Sequence, residues 1–459
     1  MAMTLYDAYG REVDTGLLKT EQAAPTMAGV RNIFSVMHPS AGLTPERLAE
    51  ILRESEFGDP FLYLELAEEM EEKDLHYLAV LGTRKQAAAQ LDIVVRPASG
   101  AADDERAAAL VREMLSGGPL QMESALFDLL DAIGKGFSVA EIIWDTAGRE
   151  WFPAQLKWRD PRWFMFDWIG GEEVLVRTLG SEGKAAPPAD AAAAAGRHFA
   201  SRYRPAGGGI GLQPLTAPLA PFKFITHFAK AKAGLPVRGG LARAAGWSYL
   251  FKNYVLKDWV SFTEVFGQPL RLGKYKPGAT EQDKQALLRA VASIGSDAAA
   301  IIPESMAIEF ADARAGGNSE MYRSFCEYLD AQVSKAVLGQ TLTTEMPRGG
   351  GGSRAAAQVH ETVRRDILSA DARRLSAALT RDLARPIVEL NLGPRRNYPQ
   401  IQLGLPDDTD MKVFAETIAV LADRGLKVGQ QTMLDKLGLP SAAPGEATLS
   451  PAARGAGAT

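Results

Sequence analysis

Two long runs of helical spacing bracket about fifty residues of shorter elements, and this pattern constrains the chain more than any other feature. The first run, "LARAAGWSYLFKNYVLKDWVSFTEVFG", sets Trp247, Phe251, Val255, Trp259, Phe262 and Phe266 on one broad face, with Gly267 placed to end the helix. The second, "NSEMYRSFCEYLDAQVSKAVLG", starts at Asn318 and sets Met321, Phe325, Leu329 and Val333 on one face. Between them lie a strand-like "LRLGKYKPG", a helix "TEQDKQALLRAVASIG" and the strand-bearing "AAIIPESMAIEFADA". The chain therefore reads as two amphipathic helices flanking a small αβ module.

The part before these helices is mixed α+β. Residues 1–43 read as an extended arm. Thr44 and Pro45 open a helix as N-cap and first helical residue, and Asp59-Pro60 repeat the device. "LHYLAVLGTRKQAAAQ" continues helically, "LDIVVRP" reads as a strand, and two more helices fall near 102–116 and 121–133. "FSVAEIIWD", "FPAQLKWRD", "RWFMFDW", "EEVLVRTL" and "FKFITHFAK" are strand-like. Residues 181–208 are low-complexity Ala, Pro and Gly and read as a surface insertion. After the second long helix and a glycine loop, a run from Ser353 spans about 50 Å if wholly helical, and Pro386 is expected to close it. "NYPQIQLGL" is a strand and two short helices follow.

With 459 residues the chain has room for two to four structural units, and its net charge of −5 gives no global signal for coating nucleic acid. A single cysteine, Cys326, excludes an internal disulfide framework and a cysteine-based zinc site. The N-terminus lacks a basic start followed by an apolar run, so no signal peptide is expected. No apolar stretch reaches the ~18 residues of a membrane span.

Sites of chemistry are scarce. The loop "LGQTLTTEMPRGGGGSR" invites comparison with a phosphate-binding loop, but that loop needs a lysine and a Ser/Thr after its last glycine, and no lysine occurs here. Glycine's freedom makes a connector of it instead. The acidic run "DDTD", residues 407–410, stands before a helix and reads as capping. His38, His76, His198, His227 and His360 are scattered, without an H-x-x-x-H pair, so no metal site or cofactor is expected. Cys326 sits among apolar residues and reads as a packed thiol. The helix pair around Gly425 mimics a helix-turn-helix, but Gln430, Gln431 and Lys436 are its only base-reading candidates and Asp435 lies among them.

The order of these elements resembles bacteriophage portal proteins, specifically those of Mu-like phages and prophages. The resemblance covers nearly the whole chain. It rests on "RNIFSVMHPSAGLTPERLAEILRESEFGDP", "YLELAEEMEEKDLHYLAVLGTRKQAAAQLDIVVRP", "GFSVAEIIWD", "ITHFAKAKAGLPVRGGLARAAGWSYLFKNYVLKDWVSFTEVFGQPLRLGKY", "VLGQTLTTE" and the ending "LADRGLKVGQQTMLDKLGLP". No one piece is a catalytic signature; their joint order carries the likeness. The resemblance implies an α+β portal fold that assembles into a ring, usually of twelve subunits. Such a ring stands at one capsid vertex, where double-stranded DNA enters and leaves, and the packaging ATPase is a separate protein.

Mapped on this chain, the resemblance implies an N-terminal arm (1–43), a wing (44–240), a stem helix (241–266), a clip (267–316), a second stem helix (317–338) and a tunnel loop (339–353). A long wing helix and strand (354–404), a crown (405–440) and a disordered tail (441–459) complete the map. The aromatic stripe from Trp247 to Phe266 is expected to be stem packing surface, because duplex DNA offers no free base faces. Thr341, Thr343, Thr344 and Arg348, with Gly349, Gly350, Gly351 and Gly352, are the candidates to brush DNA. Lys274, Lys276, Glu281, Asp283 and Lys284 are the candidate clip surface for partners. The implied partners are further copies of the chain, sequence-independent double-stranded DNA, the terminase large subunit, the major capsid protein and head–tail connector proteins. The implied location is the virion, with the host cytoplasm during assembly and no membrane. Two competing readings are a packaging enzyme, ATPase or nuclease, and a DNA-binding regulator using the C-terminal helix pair.

Overall fold

The computed structural model of the chain describes residues 5–7, 10–26, 30–34, 38–116, 120–148, 150–167, 169–178, 215–266, 271–293, 299–303, 319–341, 354–404, 417–421 and 424–425. Met1–Gly404 form one compact unit and Leu405–Thr459 another. In the second unit the described residues comprise a helical turn at 417–421 and a turn at 424–425. The stretch 181–208, the last residues of the chain and most of 405–440 lie outside the described residues.

Local sequence sets the first helices. Helix α1 (Pro45–Glu54) starts where Thr44 Oγ1 accepts from the Arg47 N–H at 3.2 Å. Helix α2 (Phe61–Lys73) follows Asp59, which accepts from the Phe61 N–H at 3.0 Å. Helix α3 (Leu75–Ala89) is capped by Asp74, whose Oδ1 accepts from the N–H groups of His76 and Tyr77. These acceptors satisfy N–H groups that a helix start leaves without an intrahelical partner. Strand β1 (Asp92–Arg96) and helices α4 (Ala102–Ser116), α5 (Met122–Leu129) and α6 (Ala132–Lys135) come next.

Strands β2 (Phe137–Ala147), β3 (Glu150–Arg159), β4 (Phe164–Phe166), β5 (Val174–Thr178), β6 (Leu215–Pro218) and β7 (Phe224–Phe228) form two antiparallel sheets, ordered β3–β2–β7 and β4–β5–β6. The central strand β2 is buried along most of its length, which is why "FSVAEIIW" lacks polar alternation. Phe137 meets Phe166 edge to face at 4.9 Å, joining the two sheets. Glu141, fully buried on β2, holds the N-terminal arm: it accepts from the Gln22 and Ala23 N–H groups and pairs with Arg159 at 2.8 Å.

Helix α7 (Ala242–Phe266) starts at a backbone-to-backbone contact. A Cβ on Gly240 would lie 2.5–2.6 Å from backbone atoms of Gly134, Lys135 and Gly136. Gly136 has φ +100° and would meet the Pro236 carbonyl at 2.6 Å. Only glycine permits this approach, and it fixes the root of α7 against the start of β2. Strand β8 (Arg271–Tyr275), helix α8 (Glu281–Ser293) and strand β9 (Ala299–Pro303) then form a βαβ unit, with β8 and β9 parallel and Arg271 opposite Ala299. Helix α9 (Ser319–Leu338) returns from it.

Helix α10 (Arg354–Leu379) passes through a π-helical turn (Thr380–Ala384) into α11 (Arg385–Leu392), and β10 (Gln400–Gly404) pairs antiparallel with β1. Pro386 does not close this run, contrary to the sequence expectation. The Arg385 N–H bonds to the Thr380 carbonyl, so the wider turn absorbs the defect that a proline brings, and helix continues to Gly393 at φ +79°. The helix crosses the β3–β2–β7 sheet and occupies both its outer strands. Asp382 Oδ2 accepts from the Thr226 N–H on β7 at 2.9 Å while Arg381 donates to the Thr226 carbonyl at 2.7 Å. On β3, Asn391 accepts from the Trp151 N–H and donates to its carbonyl, both at 2.8 Å.

Candidate functional site: the paired long helices and their anchors

Helices α7 and α9 pack antiparallel. Lys252 on α7 meets Asp330 on α9, and further along α7 Trp259 and Phe262 meet Tyr322, earlier on α9. Lys252 Nζ lies 2.6 Å from Asp330 Oδ1 and 2.9 Å from Asp74 Oδ1. One lysine thus ties both long helices to the capping residue of α3. Burial disfavours its charge, but hydrogen bonds to Asp330 and Asp74 outweigh that and raise its pKa. Tyr322 stacks on Trp259 with centroids 6.3 Å apart and contacts Phe262 at 5.6 Å. Cys326, Leu329, Val333 and Val337 fill the inner face of α9. Burial pushes the Cys326 thiol pKa up, which suits an inert packed side chain. His76 Nε2 lies 2.7 Å from Ser334 Oγ, a second polar link between α3 and α9.

Arg84 on α3 holds the C-terminal end of α9. Its Nη1 donates to the Val337 carbonyl at 2.7 Å, while Nε and Nη2 grip both oxygens of Asp371 on α10 at 2.7 and 3.0 Å. The α9–α10 connection thus begins from an end held by both α3 and α10.

The residues expected from the sequence fall at different depths. Val255, Trp259 and Phe262 are half-buried on the seam side of α7, whereas Trp247 and Phe251 are exposed in the single chain. Phe266 ends α7, and its side chain lies outside the described residues. On α9, Leu329 and Val333 are buried, but Met321 and Phe325 are exposed beside Tyr328, which stacks on Phe325. In the βαβ unit, Lys274, Lys276, Glu281 and Asp283 are exposed and Lys284 is half-buried. Asp283 caps α8 reciprocally with Thr280, whose hydroxyl it accepts from at 2.6 Å, and these bonds lower its pKa. Lys284 lies 3.2 Å from Glu281 and over the Tyr275 ring. Thr341 is half-buried, while Thr343, Thr344, Arg348, Gly349, Gly350, Gly351 and Gly352 lie outside the described residues.

Lys252, Asp74, Asp330, Arg84 and Asp371 escape sequence reading. Each is an ordinary charge on a helix or at its cap, and the pairings span from 78 to 287 positions. The one signal is Lys252 within the apolar stretch "YLFKNYVL". Among the described residues no group of three or more His, Cys, Asp or Glu is arranged to hold a metal ion, and no helix is long and apolar enough to cross a membrane. A crevice lined by Asp7, Arg11, Thr226, Arg381 and Asp382 encloses about 50 Å³, well short of the ~300 Å³ of an ordinary small-molecule site.

An α+β body rooting two long antiparallel helices that lead into and out of a small βαβ unit has the build of a phage portal subunit. Residues 64–439 match the family described as the portal protein of Mu bacteriophage. The Mu-like prophage FluMu protein gp29 of Haemophilus influenzae is 36% identical over 419 residues, covering 90% of this chain and 74% of that protein. The portal protein of Escherichia phage Mu is 33% identical over 417 residues, with the same coverage. The chain belongs to the Mu portal protein family. Two solved structures, necks of empty and native GTA particles, align over 87% of this chain and 95% of theirs, with TM-scores of 0.45 and 0.43 and 12% identity.

Proposed function

We propose that copies of this chain close into a ring, of about twelve subunits as the family resemblance implies, at one vertex of a phage capsid. Double-stranded DNA passes through the ring during packaging and ejection, and the ring joins head to tail. The observation that carries the ring is the large apolar surface left on the two long helices. Trp247, Phe251, Tyr254, Leu256 and Val260 on α7, and Met321, Phe325 and Tyr328 on α9, are all exposed in the single chain. Apolar area of this extent on a soluble subunit marks an interface. Helices side by side in a closed head-to-tail ring cover such faces without leaving an open end.

In this reading α7 and α9 are the stem, the βαβ unit is the clip, residues 44–240 with 354–404 are the wing, and 405–440 is the crown. The clip surface, with Lys274 and Lys276 among its exposed cations, meets the terminase large subunit during packaging and head–tail connectors afterwards. The wing meets the major capsid protein. The chain assembles in the host cytoplasm, and the protein is a conduit without catalytic activity of its own. Thr341, Thr343, Thr344 and Arg348 contact phosphates without reading sequence, so contact with DNA weakens as salt rises. Substituting Gly349, Gly350, Gly351 and Gly352 by alanine is expected to impair packaging and leave ring assembly intact; normal packaging would reduce the glycine run to a linker.

The ring interface is tested by charge. Phe251→Glu with Phe325→Glu should convert rings to monomers, read by mass photometry, with the thermal transition of the monomer intact. Rings that persist in the double variant would remove the stem faces from the interface. ATP turnover by the purified chain would contradict the conduit reading.

A further inference from the structure

We propose that Arg84 is a positioning residue that sets where the chain leaves α9 for α10, and so acts on the DNA-facing segment without touching DNA. The proposal rests on the conduit reading above and adds to it a single clasp joining three elements. Val337 supplies one of the last carbonyls of α9, a group with no intrahelical partner, and Arg84 Nη1 donates to it at 2.7 Å. The same guanidinium binds Asp371 on α10 through two parallel hydrogen bonds of 2.7 and 3.0 Å. Asp371 is 2% exposed and Arg84 15%, so the pair is shielded from competing water. Immediately beyond, Gly339 turns the chain at φ +70°. A Cβ there would stand 2.8 Å from Val363 Cγ1 and 2.9 Å from Ile367 Cδ1. The end of α9 therefore lies against the Val363 and Ile367 side chains of α10, at a left-handed turn that favours glycine, and Arg84 holds it there. Leu338 and Gln340, on either side of the turn, are buried.

The fork of arginine is required for this role. A lysine at position 84 keeps a positive charge beside Asp371, but its single ammonium cannot grip both carboxylate oxygens and cap Val337 at once. Ring contacts proposed for α7 and α9 lie on other faces, so the clasp is separable from assembly.

The test uses the full-length protein with Arg84→Lys and, independently, Asp371→Asn, which keeps the side-chain volume and removes the charge. Both variants are expected to form rings in the same yield as the unmodified chain. Amide exchange at Leu338, Gly339, Gln340 and Thr341 should rise about tenfold in each, while Cys326 and Leu329 keep their protection. DNA packaged per particle should fall about tenfold in a phage carrying either variant. Unchanged exchange at these four amides, unchanged packaging, or loss of rings in both variants would each overturn the proposal. A failure of the unmodified chain to form rings would overturn the conduit reading instead, and the exchange measurement would still decide whether Arg84 holds the end of α9.

Discussion

Lys252 shows how much rests on single side chains. Replacing it by methionine would leave Asp74 and Asp330 facing each other without a cation in a half-closed seam. The expected loss is about 3 kcal/mol in urea unfolding, the scale for breaking a shielded ion pair from one side. A loss under 1 kcal/mol would mean that water relieves the two acids. His227 gives a second reading at this scale. Burial on β7, with Arg381 and Arg374 nearby, pushes its imidazole pKa down to about 3. The unfolded chain binds that proton near pH 6.5. The unfolded state thus takes up more protons between these values, and stability falls as pH drops from about 6.5 toward 3, by about 1.4 kcal/mol per pH unit. His227→Gln should remove that one-proton slope, measured as urea midpoints at pH 7 and 5. None of these pairings was legible in the sequence, because a charged or polar residue on a helix or strand carries no mark of its distant partner. The packed reading of Cys326 was legible from its place on a long amphipathic helix, and the thiol is buried there.

At the scale of elements, the turn through Thr380–Ala384 shows what a proline-bearing helix can do. It carries the Arg381–Asp382 pair onto β7 and brings Asn391 onto β3, so both outer strands of one sheet are occupied by side chains of one helix. Edge strands left bare invite pairing with other chains. Asp382→Ala and Asn391→Ala should each cost about 1–2 kcal/mol in chemical unfolding, because each strips partners from half-buried backbone groups. The double variant should also aggregate on mild heating, as followed by light scattering; a double variant that stays clear would show that the edges are protected otherwise. Gly240→Ala is expected to fail to give folded protein, since its Cβ would fall 2.5 Å from backbone that cannot move alone. Most elements were readable: the Thr44 and Asp59 starts follow capping rules, and strands such as "FSVAEIIWD" show themselves by composition. The orientation of α9 was not. Met321 and Phe325 share the i, i+4 series of Leu329 and Val333, but each step of four residues drifts about 40° around a helix. The series therefore starts on the free side and ends in the seam. Pairing of β1 with β10, across some three hundred residues, leaves no local trace.

At the scale of the whole molecule, one chain is an incomplete object. It buries a continuous core beneath its sheets and α1–α6, yet leaves aromatic and aliphatic side chains on both long helices exposed. The family was legible from the order of elements, because a two-helix bracket around a small αβ unit is a global pattern that local substitutions do not erase. How copies meet was not, since an apolar stripe looks alike whether it faces its own chain or the next. In the proposed assembly the exposed faces of α7 and α9 are covered by further copies in a closed ring. The most direct measurement is electron microscopy of the purified full-length protein, viewed down the particle axis. The proposed assembly should show as closed rings with a central channel wide enough for a DNA duplex and subunits repeated around it. A field of monomers at high protein concentration, or open filaments in place of rings, would contradict it.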